Sequence, residues 1–167
     1  RRQRQMCIRD RYGFHSQYLF KSRNDRNAAA TAYCQRLFSE SYFKACSFIS
    51  CKAVGTAFKY SFYKNVSFDG GSFELSDFQR SKLQSVAVTD TDFSSALFSS
   101  CEIKQTELKN VTLARSVFFG TKLAGLDFTS CNIEGLTVSD TGAELKGAKV
   151  DVWQAAMFAK LLGLIIE

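Results

Sequence analysis

The side chains that most often carry catalysis or bind metals are scarce in this sequence. His15 is the single histidine, and the six cysteines form no CxxC pair: Cys7, Cys34, Cys46, Cys51, Cys101 and Cys131. Zinc sites and Ser–His or Cys–His catalysis therefore have little material. The sequence also contains no glycine-rich phosphate loop of the GxxxxGK[ST] type. We accordingly expect no enzyme, and no catalytic, cofactor-binding or metal-binding residues.

The positive charge of the chain is concentrated at its beginning. The 167 residues hold 22 basic and 16 acidic side chains, a formal net charge of +6. Residues 1–11 contribute five Arg and one Asp, residues 12–36 four bases and one acid, and residues 37–167 13 bases and 14 acids. A basic excess normally suggests nucleic-acid binding, but here it lies outside the body of the protein. We therefore expect no direct nucleic-acid partner. Neither a membrane-spanning run nor a secretory signal occurs, which favours a cytoplasmic location.

The first eleven residues read RRQRQMCIRDR, and this string resembles the translation of a transposase-type sequencing adaptor. We interpret residues 1–11 as an adaptor artefact and residues 12–35 as an irregular leader, with a true N-terminus that is truncated or uncertain. The alternative is a basic N-terminal arm that binds nucleic acid.

A five-residue period runs through the rest of the chain. Counting in fives from residue 38 to residue 138 gives 21 apolar positions, of which only Ala53 is small. The positions two residues earlier are nearly all small or β-branched, and they include Cys46, Cys51, Cys101 and Cys131. Because alternate side chains of an extended segment point the same way, both sets can share one interior. The cysteines are then small core residues and not a metal site.

Stretches such as CSFIS, VSFDG, TDFSS and LDFTS resemble the pentapeptide-repeat family. The resemblance implies an all-β fold, a right-handed quadrilateral β-helix with four pentapeptides per coil and about five coils over residues 36–142. Residues four pentapeptides apart should then stack, and the chain supplies such a ladder: Phe38, Phe58, Phe78, Phe98 and Phe118. Since the register contains no insertion from residue 38 to residue 138, we expect no protruding loops there.

The period fails after about Thr141, and residues 143–167 are predicted to form a C-terminal α-helical cap. Asp151 and Gln154 have the spacing of a capping box, Gly163 is a typical helix stop, and Leu164, Ile165 and Ile166 suit a short strand. We assign the capping and dimerisation surface to the apolar side chains of this segment: Trp153, Met157, Phe158, Leu161, Leu162, Leu164, Ile165 and Ile166. The alternative is a cap that folds onto its own rod alone.

The segment ELKGA followed by QAAMFAKLLGLII is similar to the C-terminus of the bacterial Qnr-type quinolone-resistance proteins. That resemblance implies a homodimer and a protein that imitates duplex DNA to bind a type II topoisomerase, either DNA gyrase or topoisomerase IV. Qnr-type rods are strongly acidic, whereas residues 37–167 carry a net charge of −1 here.

Assigning residues to the four faces of such a coil separates the charges. The two faces with Phe48 and Ala53 carry seven acids against three bases, and we predict that their acids bind the partner: Asp69, Glu74, Asp90, Asp92, Glu107, Asp127 and Glu134. A third face carries about one lysine per coil. The alternative function is a repeat scaffold that docks another intracellular protein through a flat β-helix face.

Overall fold

The computed structural model describes residues 7–9, 15–17 and 38–165, the first two ranges by their backbone alone. The predicted adaptor segment and leader otherwise lie outside this part of the chain, as does Ile166. The elements are β1 (Cys7–Arg9), β2 (His15–Gln17), β3 (Tyr42–Lys44), β4 (Ser47–Lys52), β5 (Phe62–Ser72), β6 (Lys82–Asp92), β7 (Glu102–Lys104), β8 (Glu107–Lys109), a 3₁₀ turn (Ala143–Leu145) and α1 (Val152–Leu161).

Parallel strands that lie four pentapeptides apart in the sequence build the body of the protein. In the β5–β6 pair, Phe62 lies opposite Lys82 and Ser72 opposite Asp92. Strands β3 and β4 pair with β5, and β7 and β8 pair with β6, all with the same spacing. Isolated bridges continue it as far as the pair Val117 and Thr137. The fold is the predicted β-helix with one C-terminal helix. At the other end, β1 pairs antiparallel with β2 and β3.

The corners of the coil recur every fifth residue and share one backbone conformation. Fourteen non-glycine residues have positive φ, between 49° and 58°, and every one falls on this register: Glu40, Ala45, Ser50, Tyr60, Asn65, Leu75, Arg80, Ser85, Asp90, Ser95, Ser100, Gln105, Asn110 and Arg115. Left-handed backbone costs about 1–2 kcal/mol per L-residue. The bonds between coils must therefore stabilise each corner.

The predicted apolar register forms the core. Its 21 side chains are buried except for Ala53, Ile103 and Leu108, which are half-buried. The predicted phenylalanine ladder is confirmed, since its successive rings stack with centroids 4.9–5.2 Å apart and interplanar angles of 8–25°. Such stacked aromatic pairs stabilise a core beyond the area they bury.

Hydroxyl groups of the small register satisfy the backbone between coils. The Ser61 hydroxyl donates to the Phe38 carbonyl at 2.7 Å and accepts from the Ser41 amide at 3.1 Å. Ser81 repeats the arrangement one coil later, with its hydroxyl 3.1 Å from the Phe58 carbonyl oxygen. The serine hydroxyls therefore satisfy backbone carbonyls inside the rod, because a buried carbonyl without a hydrogen-bond partner is destabilising.

The repeat resumes beyond Thr141 with a shift of two residues. In the regular stack the Phe118 amide bonds to the carbonyl of Thr137, 19 residues later. The same spacing predicts a bond from the Leu123 amide to the carbonyl of Gly142. The Leu123 amide bonds instead to the carbonyl of Glu144. Leu145, Ala148 and Val150 then pack against the core. Residues 143–150 thus cover two faces of the last coil before α1 begins.

Gly71 occupies a position that has no room for a side chain. Its φ is +114°, and a Cβ there would lie 2.2 Å from the Cys51 carbonyl oxygen. Gly71→Ala should therefore lower the free energy of unfolding by roughly 3 kcal/mol or more, measured by urea denaturation. The matched control is Gly125→Ala, where φ is +83° and nothing lies within 4 Å, so that only about 1–2 kcal/mol is expected. Equal losses in the two variants would contradict this account.

Candidate partner-binding surfaces

Each pentapeptide contributes one flat side of the coil, so the described charges fall on four faces. We number them from the inward residue of each unit: face 1 contains Phe43, face 2 Phe48, face 3 Ala53 and face 4 Phe58, each with its equivalents in the following coils. The acids predicted to bind a partner lie on faces 2 and 3.

Face 2 carries one exposed carboxylate per coil over four successive coils. These are Asp69, Asp90, Glu107 and Asp127, against the base Lys109 and, in the segment that covers the last coil, Lys149 beside Asp127. Face 3 carries the exposed Glu134 and the half-buried Glu74 and Asp92, against the bases Lys52 and Arg115. Face 2 is therefore the more negative of the two.

Local hydrogen bonds hold several of these carboxylates in place. Asp127 accepts from the Thr129 hydroxyl at 2.7 Å and the Thr129 amide at 3.1 Å, and these bonds lower the pKa of Asp127. Asp92 accepts in the same way from Ser94 at 2.6 and 2.8 Å, and Asp90 accepts from the Asn110 side chain at 3.0 Å. Part of each carboxylate is thus committed to its own turn or to the next coil.

Face 1 is the lysine-rich face. Lys44 and Lys64 lie opposite each other in the β3–β5 register, and Lys82, Lys104 and Lys122 follow on later coils. Lys82 forms a 2.8 Å ion pair with Glu102, which lowers the pKa of that carboxyl through its hydrogen bond and charge. The other four lysines form no ion pair within residues 38–165. The acids of faces 2 and 3 and the lysines of face 1 thus lie on different sides of the rod.

The sequence pattern does not predict the buried polar residues of the cap, because their hydrogen-bond partners lie in other coils. Glu144 is 7% exposed, and its carboxylate accepts from the Gly120 amide at 2.9 Å and the Ser139 hydroxyl at 2.6 Å. Gln154 donates through Nε2 to the carbonyls of Phe128 at 2.7 Å and Cys131 at 2.9 Å. Together they satisfy backbone groups at the end of the rod. The one available signal was the Asp151–Gln154 spacing, and that capping box is confirmed.

The structure divides the predicted apolar set of the C-terminal segment. Phe158 is buried in the core. Six other members of the set are exposed: Trp153 (82%), Met157 (38%), Leu161 (45%), Leu162 (44%), Leu164 (61%) and Ile165 (92%). The helix ends at Leu161 and Gly163 has the expected positive φ. The predicted terminal strand is wrong for Leu164 and Ile165, which have no strand assignment.

The four described cysteines are buried in the core, where the sequence placed them. Burial raises the pKa of the Cys51 and Cys101 thiols to about 11. Within the described ranges, no cluster of three His, Cys, Asp or Glu side chains could hold a metal ion. None of the helices described is long and apolar enough to cross a membrane.

Comparison with known proteins identifies the repeat. Residues 96–135 match the family model of pentapeptide repeats as eight copies. This part of the chain is therefore similar to pentapeptide repeats. A search of the curated proteins found no match.

Several solved pentapeptide-repeat proteins are similar to this chain. A protein of the Arabidopsis thaliana thylakoid lumen is 21% identical over 71% of this chain and 85% of its own, with a TM-score of 0.48. HetL from Nostoc, described as involved in the regulation of heterocyst differentiation, is 10% identical over 64% and 56%, with a TM-score of 0.49. QnrB1, a plasmid-mediated fluoroquinolone resistance protein, is 14% identical over 78% and 93%, with a TM-score of 0.29.

The hydrogen bonds that the buried Glu144 carboxylate accepts make the stability of the cap depend on pH. Burial raises the pKa of Glu144, but the bonds from Ser139 and Gly120 outweigh it, so the net pKa lies below its usual value. The folded state therefore gains stability above the unfolded pKa of about 4.3, and this gain disappears as the pH falls through the folded pKa. Glu144→Gln should cost about 1–3 kcal/mol at pH 7, measured by urea denaturation, and progressively less below about pH 4.

The exposed Glu134 provides the control for this measurement. Its side chain makes no hydrogen bond within the described residues, so Glu134→Gln should change stability by less than about 0.5 kcal/mol. A Glu144→Gln deficit that persists undiminished at pH 3 would show that the charge of Glu144 is not what stabilises the cap.

Proposed function

We propose that this pentapeptide-repeat protein is a non-enzymatic, cytoplasmic bacterial protein that binds a type II DNA topoisomerase. Face 2 would take the place of duplex DNA on DNA gyrase or topoisomerase IV and thereby reduce quinolone sensitivity. The observation that carries this proposal is the row of exposed carboxylates Asp69, Asp90, Glu107 and Asp127 along one flat side of the rod.

The spacing of that row supports imitation of a polyanion. Coils stack at about 4.8 Å, so one carboxylate per coil gives a regular line of negative charge on a stiff support. Duplex DNA carries one charge per ~1.7 Å of its axis, so face 2 is a diluted version of it. A DNA-binding groove lined by basic residues would attract such a line and accelerate encounter.

The C-terminal helix supports a homodimer with two rods end to end. Trp153, Met157 and Leu161 follow one another at four-residue spacing along α1 and are all exposed, while Phe158 and Gln154 on the other side hold the helix to the rod. An exposed tryptophan, with exposed leucine and isoleucine side chains beyond it, forms an apolar patch of the kind that marks an interface. A two-fold axis through α1 would cover this patch on both copies.

The lysine-rich face favours a second function, a scaffold that docks a different intracellular protein. Lys44, Lys64, Lys104 and Lys122 present positive charge that no described acid neutralises. An acidic surface of a partner would complement this face.

The topoisomerase proposal is tested by gyrase and topoisomerase IV assays with a fluoroquinolone. The wild-type protein should restore supercoiling or decatenation, and the variant Asp69→Asn, Asp90→Asn, Glu107→Gln and Asp127→Asn should need at least about tenfold more protein, since about 1.4 kcal/mol of lost binding energy corresponds to that factor. The control Lys44→Gln and Lys64→Gln changes exposed charge on face 1 and should keep the activity.

No effect of the wild-type protein on either enzyme at any ratio would contradict the proposal. Retention of a different protein in a pull-down, lost in the lysine variant and kept in the acidic variant, would establish the scaffold function instead.

The dimer is tested by light scattering coupled to size-exclusion chromatography. The wild-type chain should elute with twice the mass of the 18.7 kDa polypeptide. Trp153→Glu should give monomers, because a charge placed in an apolar interface has no partner. Ala155→Glu lies on the same helix, is also exposed and points away from the Trp153 stripe, so it should remain dimeric. A wild-type monomer at high concentration would show that the helix only caps its own rod.

A further inference from the structure

The stack of coils is open at one place. The successive coils between residue 41 and residue 109 pair with one another on faces 1 and 2. No backbone hydrogen bond joins residues 102–109 to residues 122–129, although both segments are fully described. Faces 3 and 4 of the same coils stay joined, for instance by the Leu113 amide and the Asn132 carbonyl at 2.7 Å. The rod is therefore split on one side only, and we call this opening the cleft.

The interior of the rod is accessible through the cleft. Ile103, Thr106 and Leu108 belong to the inward registers, which are buried in nearly every other coil, yet here all three are half-buried. The cleft has a volume of about 390 Å³, which lies within the range of roughly 300–1,000 Å³ typical of ligand sites. Its two lips are lined by Ile103, Gln105, Thr106 and Glu107 on one side and by Ala124, Gly125 and Leu126 on the other.

Both lips present backbone groups that lack the bonds made in other coils, towards the next coil for residues 102–109 and towards the preceding coil for residues 122–129. In the regular coils the amide of each large inward residue donates forward, as Phe98 does to Val117 at 2.8 Å and Phe118 to Thr137 at 2.8 Å. The corresponding amides of Ile103 and Leu108 make no such bond within the described chain. Such an unpaired strand edge is a template for an added strand.

Side-chain hydroxyls close the two ends of the cleft. The Cys101 amide donates to the Thr121 hydroxyl at 2.8 Å, and the Asn110 amide to the Ser130 hydroxyl at 3.3 Å. Ser130 is also the one residue on the corner register from 40 to 135 without a positive φ. The opening therefore spans about two pentapeptides, the length over which an inserted strand would pair.

The charges on the lips differ between the two halves of the cleft. On face 2, Glu107 lines the opening, and Asp127 occupies the equivalent position of the next coil. Asp127 accepts from Thr129 and lies beside Lys149 of the following segment. On face 1 the lips carry Lys104 and Lys122, while Glu102 is engaged by Lys82 at 2.8 Å. Glu107 forms no ion pair within the described residues, so a cationic side chain of a partner would be favourable beside it.

We propose that the cleft binds an extended segment of a partner protein as an added parallel strand. The segment places two apolar side chains, five residues apart, on Ile103 and Leu108. It places a lysine or arginine beside Glu107, and an acidic residue beside Lys104. Backbone hydrogen bonds to both lips supply the pairing, and the charges fix the direction and register of the segment.

The nonapeptide TTVEGTKVT has this pattern and serves as the probe. Its valines lie five residues apart, its glutamate reaches Lys104, and its lysine lies beside Glu107. Titration into the full chain, followed by amide NMR, should perturb and protect the amides of residues 102–109 and 122–129. The charge-exchanged peptide TTVKGTEVT should bind at least about tenfold more weakly, and so should TTVEGTKVT to the variant Glu107→Gln, Asp127→Asn.

The matched control is the variant Asp69→Asn, Glu134→Gln, which removes two carboxylates from faces 2 and 3 away from the cleft and should leave the peptide affinity unchanged. Binding of both peptides with equal affinity, protection of amides outside the cleft, or no binding of the probe would overturn the proposal. A change of oligomeric state in the Glu107→Gln, Asp127→Asn variant without peptide binding would assign the cleft to a second copy of the chain and overturn it too. None of these outcomes depends on a topoisomerase.

Discussion

The hydrogen bonds between coils hold this protein in a backbone conformation that its side chains oppose. A left-handed residue at nearly every corner turns the chain onto the next face, and most of these residues carry a Cβ, from Glu40 to Arg115. Isolated from its neighbours, such a coil would not persist, because each corner costs about 1–2 kcal/mol. Pairing to the coils above and below, together with the ring stacks inside, makes the arrangement favourable. Stability in such a solenoid is therefore a property of neighbouring coils rather than of any one of them.

That dependence explains the chemistry of the interior. Positions facing inward must either stack on their equivalents one coil away, as Phe58 and Phe78 do, or satisfy a carbonyl of the preceding coil, as Ser61 does. Large apolar residues thus pack the interior, while small hydroxyl-bearing residues satisfy its backbone. The outward positions do neither, and they carry the carboxylates of face 2 and the lysines of face 1.

The two places where the regular stack stops are the places where new surface appears. At the C-terminal end, Glu144 and Gln154 take over the bonds that a further coil would make, and α1 turns its apolar stripe outward. Between residues 102–109 and 122–129 nothing within the described chain takes over those bonds, and the core can be reached from outside. A repeat whose regular part is saturated by its own contacts offers partners its flat faces and its irregularities.

The period, the contents of the core and the distribution of charge can all be predicted from the order of the residues. Each of these depends on local spacing: a side chain one pentapeptide or one coil away in the chain is a neighbour in space, so counting along the sequence is counting along the structure. The same counting predicted the capping box and the buried cysteines. It gave no warning of the left-handed corners at residues such as Leu75, Ser85 and Arg115, because these residue types disfavour that conformation when considered locally.

The features that break the period depend on contacts between coils. The two-residue shift after Thr141 moved Leu145 and Val150 back onto the core, and the burial of Glu144 depends on groups of Gly120 and Ser139 that no spacing rule connects. Ile103 and Leu108 keep the apolar identity of the register, so the sequence predicted them to be buried, yet the cleft leaves them half-buried. Whether two neighbouring coils form backbone hydrogen bonds depends on contacts across the whole stack, so the sequence of either coil alone does not predict it.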